Sequence, residues 1–351
     1  MTLLVPPQAV TPSRTRDRRI RLDLNESPFG PLPAVEDALA SDISRVNRYP
    51  DFLPDRLREM IAAHLGLPAH WLSIGAGATG VAGMILSEAR RRARARGVEV
   101  PELATAIPTF DGYPILAGML RMGVAEVALT PAGGVDLDGL ARSVGPDTAA
   151  VVLCSPHNPT GAVIADVELR DFLDDVPPSV PVLFDEAYRE FCDDPIDVVA
   201  LLRRHRNLIA IRTFSKAYGL AALRVGYAIA DPVIAAALRT WEIPFGIAPA
   251  ATAAVPVALA ARAELDERVK AIRAERDRLA RRLTEIGSPP LPGQGNFVFL
   301  PGDDGLQVGR LLASVGVIGK RCGKYGLRLT VGDAESTDTL IDALRLTAWT
   351  A

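Results

Sequence analysis

The stretch TFSKAYGLAALRVG contains a single lysine, Lys216, among small and apolar residues. Such surroundings remove water from the amine, which disfavours its charged form and lowers its pKa. A neutral amine can attack a carbonyl and form a Schiff base. Ser215 beside it and Arg224 downstream carry a hydroxyl and a planar guanidinium, two groups that suit a phosphate. The alternative is an exposed lysine on a surface loop, where most lysines lie.

Two further stretches place polar groups near predicted strand ends. GAGATG (75–80) joins a strand to a helix, and the free N–H groups at a helix start attract an anion, although glycine turns of this kind are common. SPHNPTG (155–161) presents the amide of Asn158, which can donate a hydrogen bond to a ligand oxygen. Asn-Pro also forms ordinary turns, so each stretch alone has a purely structural interpretation.

A carboxylate stands at the end of an apolar run in VPVLFDEAYREF, where Asp185 closes the predicted strand and Tyr188 follows three residues later. A carboxylate in such a place is unfavourable unless it has a partner. Opposite a protonated ring nitrogen, it would hold that nitrogen in its cationic form. The alternative is an N-cap of the following helix, a position that aspartate favours.

One ligand would suit all four stretches. It has a phosphate, a phenolic or carbonyl oxygen, a ring nitrogen that must be protonated, and an aldehyde for the lysine. Pyridoxal 5′-phosphate has these groups, and the four stretches together predict it as the cofactor. Cys154, Cys192 and Cys322 are widely spaced and form no zinc pattern, so no metal is predicted.

The elements that must position these residues form an alternating series. From about residue 100 to 230, short apolar runs alternate with helical patterns such as DVELRDFLDDV. The runs are AEVALT, AAVVLCSP, VPVLFDEA, LIAIRTFS and RVGYAIAD. Most are apolar throughout, which is typical of parallel strands covered on both faces. The series predicts an open α/β sheet, whose ligands bind at the carboxyl ends of the strands.

Changes in pattern divide the chain into three predicted parts. Residues 1–35 form an irregular N-terminal arm that packs with the small domain, and 36–240 form a large cofactor-binding domain. Residues 241–351 form a small α+β domain, which begins at the proline-containing WEIPFGIAP and continues into a charged helix over about 262–286. GNFVFLP, GVIGKRCG and GLRLTVG are its predicted strands.

Composition limits the classes of function. The 351 residues carry a net charge of −3, so no overall field favours nucleic acid or an anionic membrane. The arginine-rich segment 87–102 is interpreted as the solvated end of a helix, with nucleic acid or an acidic partner as alternatives. The N-terminal residues lack the order of a signal peptide, and no apolar run is long enough to span a membrane. These features predict a cytoplasmic protein that acts on small molecules.

Taken in order, the motifs resemble those of the fold-type-I pyridoxal-phosphate-dependent aminotransferases. The resemblance is strongest to the histidinol-phosphate aminotransferase branch, which includes bacterial aromatic amino acid aminotransferases. It extends from LDLNESPFGP and NRYPD to GLRLTVG, and thus over nearly the whole chain. It implies a mostly parallel, seven-stranded-type sheet in a large domain and a small α+β domain. It also implies a ping-pong transfer of an amino group to a 2-oxo acid.

The resemblance implies roles around the cofactor ring. Lys216 forms the Schiff base with the cofactor aldehyde and later moves the Cα proton of the substrate. Asp185 pairs with the pyridine nitrogen, and Tyr188 and Asn158 contact the 3′-oxygen. Phe110, in IPTFDGY, takes the position of the aromatic residue that stacks on the ring.

The resemblance also implies a phosphate site. The backbone of Ala78 and Thr79, within GAGATG, binds the cofactor phosphate together with Ser215 and Arg224, and Thr213 assists. Many relatives have an acidic pair where this chain has Thr79 and the following glycine. The backbone can still bind phosphate. Because of this departure, however, we expect the turn to be held differently from the turn in those relatives.

Substrate and partner residues follow from the same resemblance. Arg328, in GLRLTVG, matches the arginine that binds a substrate carboxylate or phosphate, and Asn25 and Asn296 line the substrate end. Tyr49, in NRYPD, reaches into the active site of the partner subunit, which implies a homodimer with shared sites.

The amino donor is left open between histidinol phosphate and an aromatic or other amino acid, with an acceptor of the 2-oxoglutarate type. Histidinol-phosphate enzymes carry a tyrosine in the arm and an Arg-Pro pair before the last arginine motif. This chain has no tyrosine before Tyr49, and it has Lys320 and Arg321 without the proline. A decarboxylase or other lyase on the same cofactor, or a ligand-binding module without activity, are the competing hypotheses.

Overall fold

The computed structural model describes residues 19–348, so most of the predicted arm lies outside the described residues. In the described part of the arm, strand β1 (Ile20–Leu22) pairs in parallel with Val317–Gly319 of the C-terminal region. The arm thus adds a strand to a sheet that is distant from it in sequence.

The larger sheet has seven strands. They are β2 (Leu72–Ala76), β3 (Glu102–Ile107), β4 (Gly123–Ala128), β5 (Thr148–Cys154), β6 (Val182–Asp185), β7 (Leu208–Thr213) and β8 (Val225–Ala230). Their order is β2-β8-β7-β6-β5-β3-β4, and neighbouring strands are parallel except that β8 is antiparallel to both β2 and β7. This mostly parallel sheet confirms the predicted α/β fold class.

Two strands differ from the sequence-based description. RVGYAIAD, grouped there with mostly parallel runs, is the antiparallel strand β8. An apolar run indicates burial on both faces but carries no information on direction. ELATAI, which forms β3 between β5 and β4, is absent from the predicted strands.

Nine helices described in this part of the chain cover the larger sheet. They are α1 (Pro33–Asp42), α2 (Asp55–Leu65), α3 (Gly77–Ala95), α4 (Gly112–Met119), α5 (Leu137–Ser143), α6 (Asp166–Asp175), α7 (Val198–Leu202), α8 (Pro232–Arg239) and α9 (Pro249–Ala260). Alternate residues of β5 face opposite sides, so Val151 and Leu153 lie in one apolar cluster and Val152 and Cys154 in the other. Burial on both faces explains why these runs are apolar throughout.

The smaller sheet contains β1, β9 (Phe297–Pro301), β10 (Val317–Arg321) and β11 (Gly326–Thr330), in the order β1-β10-β11-β9. Its helices are α10 (Arg262–Glu285), α11 (Gly302–Ser314) and α12 (Ala334–Ala348). Leu279 of α10, Leu312 of α11 and Leu340 of α12 share one apolar core with Leu22 and Leu329 of the sheet. The division of the chain at residue 240 stays a prediction, and α9, beyond that point, packs into the core of the larger sheet.

The arginine-rich segment forms the end of α3. Arg91 and Arg92 each donate to the buried carboxylate of Glu88 at 2.7 Å, and Nε1 of Trp241 donates to it at 3.2 Å. The bond from Arg91 is the main cause that lowers the pKa of Glu88 to about 2. These two arginines therefore belong to an ion-pair network within the chain.

Among residues 19–348, no helix is both long and apolar enough to cross a membrane.

Candidate active site

A cavity of about 390 Å³ lies where the ends of β5, β6 and β7 face the arm, β10 and β11. Parallel neighbours bring strand ends to one edge of a sheet, and this edge is where open α/β sheets bind ligands. The cavity brings together every predicted site residue except Tyr49, Asn25 and Asn296. The predicted residues that line it, together with others, are Ala78, Thr79, Phe110, Asn158, Asp185, Tyr188, Thr213, Ser215, Lys216, Arg224 and Arg328.

One end of the cavity is formed by the start of α3 and the loop after β7. Thr213 Oγ1 donates to Ser215 Oγ at 2.9 Å. Arg224 lines the same cavity, and its Nη2 donates to the carbonyl of Ala76 before α3 at 3.4 Å. A Cβ atom at Gly226 would lie 2.5 Å from the amide nitrogen of Ala78, so glycine lets β8 pass directly beside the helix start. A helix start, two hydroxyls and a guanidinium in one wall suit a phosphate.

Lys216 lies in the middle of the cavity wall. Its Nζ donates to the backbone carbonyl oxygens of Leu24 and Asn25 in the arm, at 3.1 and 3.0 Å. Burial, followed by the positive charge of Arg328, lowers the pKa of Lys216 to about 8. The neutral form, which reacts with a carbonyl, is therefore far more populated near neutral pH than in an ordinary lysine.

Asp185 ends β6 and has a buried partner on each carboxylate oxygen. Oδ1 accepts from the amide of Ala187 at 2.9 Å, and Oδ2 accepts a short hydrogen bond from the hydroxyl of Tyr113. The thiol of Cys154 lies 3.9 Å from Oδ2. Burial raises the pKa of Asp185, and the bond from Tyr113 acts against that rise. Tyr113 is not among the site residues predicted from the sequence, although its place three residues after Phe110 is a possible signal.

A hydrogen-bond network joins the next residues of the wall. The hydroxyl of Tyr188 accepts from Nδ2 of Asn25 at 2.9 Å and from Nδ2 of Asn158 at 3.4 Å. Nη1 of Arg328 donates to Oδ1 of Asn158 and Nη2 to the carbonyl of Asp23, both at 2.6 Å. Among the described residues, Nε of Arg328 is buried and has no hydrogen-bond partner. This guanidinium is thus oriented by the protein, and its Nε–H remains unused.

Asn25 and Asn296 lie behind the wall of the cavity. Asn25 has a left-handed backbone with φ of 52°, and its amide nitrogen donates to Oγ1 of Thr330 in β11 at 2.9 Å. Nδ2 of Asn296 donates to the carbonyl of Asn25 at 3.1 Å. Through these bonds both residues hold the arm beside Lys216. Their role at the substrate end stays a prediction.

Tyr49 lies on the surface, outside the cavity. Its side chain is 84% exposed, and its ring packs against Phe245 with centroids 4.9 Å apart. Phe245 in turn meets Phe52 edge-on at 5.1 Å, and Ile243 beside them is also exposed. We call Tyr49, Phe52, Ile243 and Phe245 the aromatic patch.

The end of the cavity opposite the phosphate site has an exposed ion pair. Nζ of Lys320 in β10 lies 2.6 Å from Oδ2 of Asp111, the residue after Phe110. Leu24 and Cys322 line the same cavity. Lys320 is distinctive in the sequence but Asp111 is not, because nothing in the sequence indicates that these two residues meet.

The donor set fits pyridoxal 5′-phosphate. It offers an anion site at the helix start, a buried carboxylate across the cavity, hydroxyl and amide groups at Tyr188 and Asn158, and an amine of lowered pKa. Glycine at position 226 keeps side-chain atoms away from the amide of Ala78 at that helix start. Among residues 19–348, no cluster of histidine, cysteine, aspartate or glutamate could hold a metal ion.

Comparison with known proteins identifies the family. The sequence model of the aminotransferases of class I and II matches residues 17–344. The chain is 39% identical over 324 residues to the aromatic amino acid aminotransferase of Streptomyces avermitilis, covering 92% of this chain and 88% of that protein. It is 38% identical over 331 residues to the enzyme of the same name from Cutibacterium acnes, covering 93% and 92%.

A solved structure agrees with this assignment. The structure of histidinol-phosphate aminotransferase from Sinorhizobium meliloti in complex with pyridoxal 5′-phosphate superimposes with a TM-score of 0.83 at 27% identity, covering 93% of this chain and 91% of that one. These findings confirm the predicted cofactor and the predicted reaction class, and they do not favour the decarboxylase alternative. The chain belongs to the class I and II aminotransferases and is an aminotransferase that depends on pyridoxal 5′-phosphate.

Proposed function

We propose that the protein transfers the amino group of aromatic amino acids to a 2-oxo acid of the 2-oxoglutarate type. The observation that carries this proposal is the ion pair between Lys320 and Asp111 beside Arg328. A phosphate ester is bound best by several cations, whereas Asp111 already neutralises Lys320. Arg328 is left to bind a carboxylate, which every α-amino acid carries.

The remaining wall at this end suits an apolar side chain. Phe110, Leu24 and Cys322 line the cavity near the ion pair. An aromatic ring gains both contact area and ring–ring interactions in such surroundings. The names of the relatives from Streptomyces avermitilis and Cutibacterium acnes support the same donor class.

We assign the cofactor residues as the sequence predicts. Ala78, Thr79, Thr213, Ser215 and Arg224 hold the phosphate. Phe110 contacts the ring face. Tyr188 and Asn158 hold the ring oxygen, and because burial raises the pKa of Tyr188 to about 12, its hydroxyl stays protonated and can donate.

When bound, the cofactor supplies an electron-withdrawing ring that acidifies the Cα–H bond of the amino acid. Asp185 favours the protonated ring nitrogen by its negative charge. Arg328 binds the substrate carboxylate and fixes its orientation. Nζ of Lys216, with its pKa near 8, takes the Cα proton and returns it on the cofactor side, acting first as base and then as acid.

The proposed assembly is a cytoplasmic homodimer in which Tyr49 completes the site of the partner subunit. Support comes from the aromatic patch, whose side chains lie exposed on one surface. Exposed aromatic clusters mark interaction surfaces, and aromatic residues are enriched in the cores of interfaces.

Steady-state kinetics on a panel of donors tests the substrate. Phenylalanine, tyrosine, tryptophan, histidine, aspartate and histidinol phosphate are compared with 2-oxoglutarate as the acceptor. We expect kcat/KM for the aromatic amino acids to exceed that for histidinol phosphate by about tenfold or more, the value of one unsatisfied charge contact. A kcat/KM for histidinol phosphate far above every amino acid contradicts the proposal.

Mixing two inactive variants tests the shared site. A heterodimer of Lys216→Ala and Tyr49→Ala has one site with both Lys216 and the partner's tyrosine if Tyr49 acts across the interface. The mixture then regains activity that neither variant has alone. A mixture that stays as inactive as its components, with dimers present by sedimentation, shows that Tyr49 does not act in the partner's site.

A further inference from the structure

Tyr113 is a buried residue that touches the site without lining it. It lies in the first turn of α4, its side chain is 1% exposed, and it is absent from the wall of the cavity. Its ring meets Phe110 edge-on with centroids 5.6 Å apart and packs in the apolar cluster on the α3 side of the large sheet. Its hydroxyl is the group that forms a hydrogen bond to a residue of the cavity wall, Asp185.

That hydroxyl donates to the one carboxylate oxygen of Asp185 that the backbone leaves free. The amide of Ala187 occupies Oδ1, the hydroxyl of Tyr113 bonds to Oδ2, and the thiol of Cys154 lies 4.0 Å from the hydroxyl. A thiol is a weak donor, so it cannot replace the phenol. Two donors on different oxygens fix the rotation of the carboxylate plane.

We propose that Tyr113 is a positioning residue: it orients Asp185 and keeps its carboxylate ionised, so that Asp185 can hold the ring nitrogen of the cofactor in the protonated form. The inference rests on the role proposed above for Asp185. Tyr113 acts only through that carboxylate and does not touch the cofactor.

The physical reason is the cost of a buried charge. A carboxylate removed from water prefers to hold a proton unless hydrogen bonds favour its ionised form. Without the hydroxyl of Tyr113, the proton shared between Asp185 and a bound pyridine moves toward the carboxyl. The ring nitrogen then loses positive charge, and the ring withdraws electrons less strongly.

A purely structural tyrosine would behave differently. The ring of Tyr113 fills space beside Phe110 whether or not it carries a hydroxyl, and Tyr113→Phe keeps that packing. A packing role therefore affects every ligand of the cavity equally. The proposed role affects only ligands that have a nitrogen opposite Asp185.

The test compares two cofactors in protein freed of bound cofactor. One is pyridoxal 5′-phosphate, and the other is its analogue with C–H in place of the ring nitrogen. In the wild type the natural cofactor binds more tightly. In Tyr113→Phe we expect that preference to fall by roughly tenfold, the effect of losing one hydrogen bond to a charged group. Tyr227→Phe, which removes a hydroxyl from a buried tyrosine outside the cavity, keeps the wild-type preference.

A spectroscopic measurement gives a second readout. With the ring nitrogen labelled with ¹⁵N, its chemical shift indicates a protonated nitrogen in the wild type and moves toward the neutral value in Tyr113→Phe. An unchanged preference together with an unchanged shift overturns the proposal. If Tyr113→Phe does not fold, a ring-fluorinated tyrosine at position 113 keeps ring and hydroxyl but alters donor strength. An unmoved ¹⁵N shift in that protein contradicts the proposal equally.

Asp185→Asn separates this inference from the proposed function. If Asp185→Asn abolishes the preference and Tyr113→Phe leaves it intact, Asp185 has its role and Tyr113 does not. If Asp185→Asn also leaves the preference intact, the role of Asp185 itself is wrong, and the inference about Tyr113 fails with it.

Discussion

The two ends of the cavity are built in different ways. The cofactor end is formed by strand ends of one sheet and by the start of α3, and its key carboxylate at Asp185 is buried with a partner on each oxygen. The substrate end combines the arm, β10, β11 and the loop after β3, and its ion pair between Lys320 and Asp111 is exposed. Buried hydrogen-bond partners hold the carboxylate in a fixed geometry, whereas replacing either residue of an exposed ion pair costs little free energy of folding. Substitutions should therefore abolish function at the first end and change specificity at the second.

The largest expected effect is that of Lys216→Ala. Removing the base is expected to lower kcat by about 10⁴-fold, since general base catalysis and covalent attachment are lost together. The cofactor should still bind through the phosphate site, which absorbance of the dialysed protein measures. Lys320→Ala is the matched control and keeps kcat for aromatic donors within about threefold, as expected for an exposed pair. Activity retained in Lys216→Ala would contradict the assignment.

Arg328→Lys is expected to act on the substrate and not on the cofactor. A lysine cannot form the bidentate fork with a carboxylate, so kcat/KM for phenylalanine should fall by roughly 10²-fold. Phenethylamine, the same molecule without its carboxylate, serves as the reference and should lose little. Equal losses for both donors would show that Arg328 supports the structure of the site and does not bind the carboxylate. The affinity for the cofactor, measured by titration, should stay within threefold.

The pH dependence of stability tests the environment of Lys216. Its folded pKa of about 8 lies below its ordinary value of 10.5. Between these pH values the unfolded chain holds a proton that the folded chain has lost, so folding becomes more favourable as the pH rises. We therefore compare the free energy of unfolding of the wild type without cofactor with that of Lys216→Met. Between pH 8 and pH 10.5, the difference should shift in favour of the wild type by about 2–3 kcal/mol. Below about pH 7, where both states hold the proton, the difference between the two proteins should be constant.

Denaturant titration at several pH values measures this difference. Lys320→Met is the matched control for the loss of one lysine side chain from the same cavity. A wild type that gains nothing over Lys216→Met in this range would mean that the amine is hydrated and carries its ordinary pKa.

The smallest expected effect is a change of specificity in Asp111→Asn. The substitution frees Lys320 to bind a second negative group on the donor. We expect kcat/KM for aspartate and for histidinol phosphate to rise by about three- to tenfold, the range of a partly exposed ion pair, and that for phenylalanine to change less than twofold. Half-reaction kinetics, in which the donor alone is mixed with the enzyme, keep the acceptor out of the measurement.

The double variant Asp111→Asn with Lys320→Met is the control for that change. It removes the freed amine and should return the acidic donors to their wild-type values. A gain that persists in the double variant would indicate that Asp111 repels these donors directly. An equal gain for phenylalanine would mean that the loop after Phe110 has moved.

Much of the cofactor end was predictable because each of its motifs is short and stands at a strand end. Lys216 with Ser215, and Asp185 with Tyr188, are separated by a few residues, so the order of strands in a parallel sheet is enough to bring them together. The cavity contains these residues as expected. Most strands of the larger sheet were also predictable, because burial on both faces requires runs that are apolar throughout.

Other features depended on contacts that the sequence does not express. The pairing of β8 with β2, the packing of α9 into the larger core and the strand that the arm adds to the smaller sheet each join segments far apart in the chain. The same is true of the bond from Tyr113 to Asp185 and of the pair between Lys320 and Asp111. Residue types and local spacing determined the chemistry that this protein can hold. Tertiary packing alone decided which donor meets which acceptor, because a hydrogen bond or ion pair forms only where folding brings two distant atoms within about 3 Å.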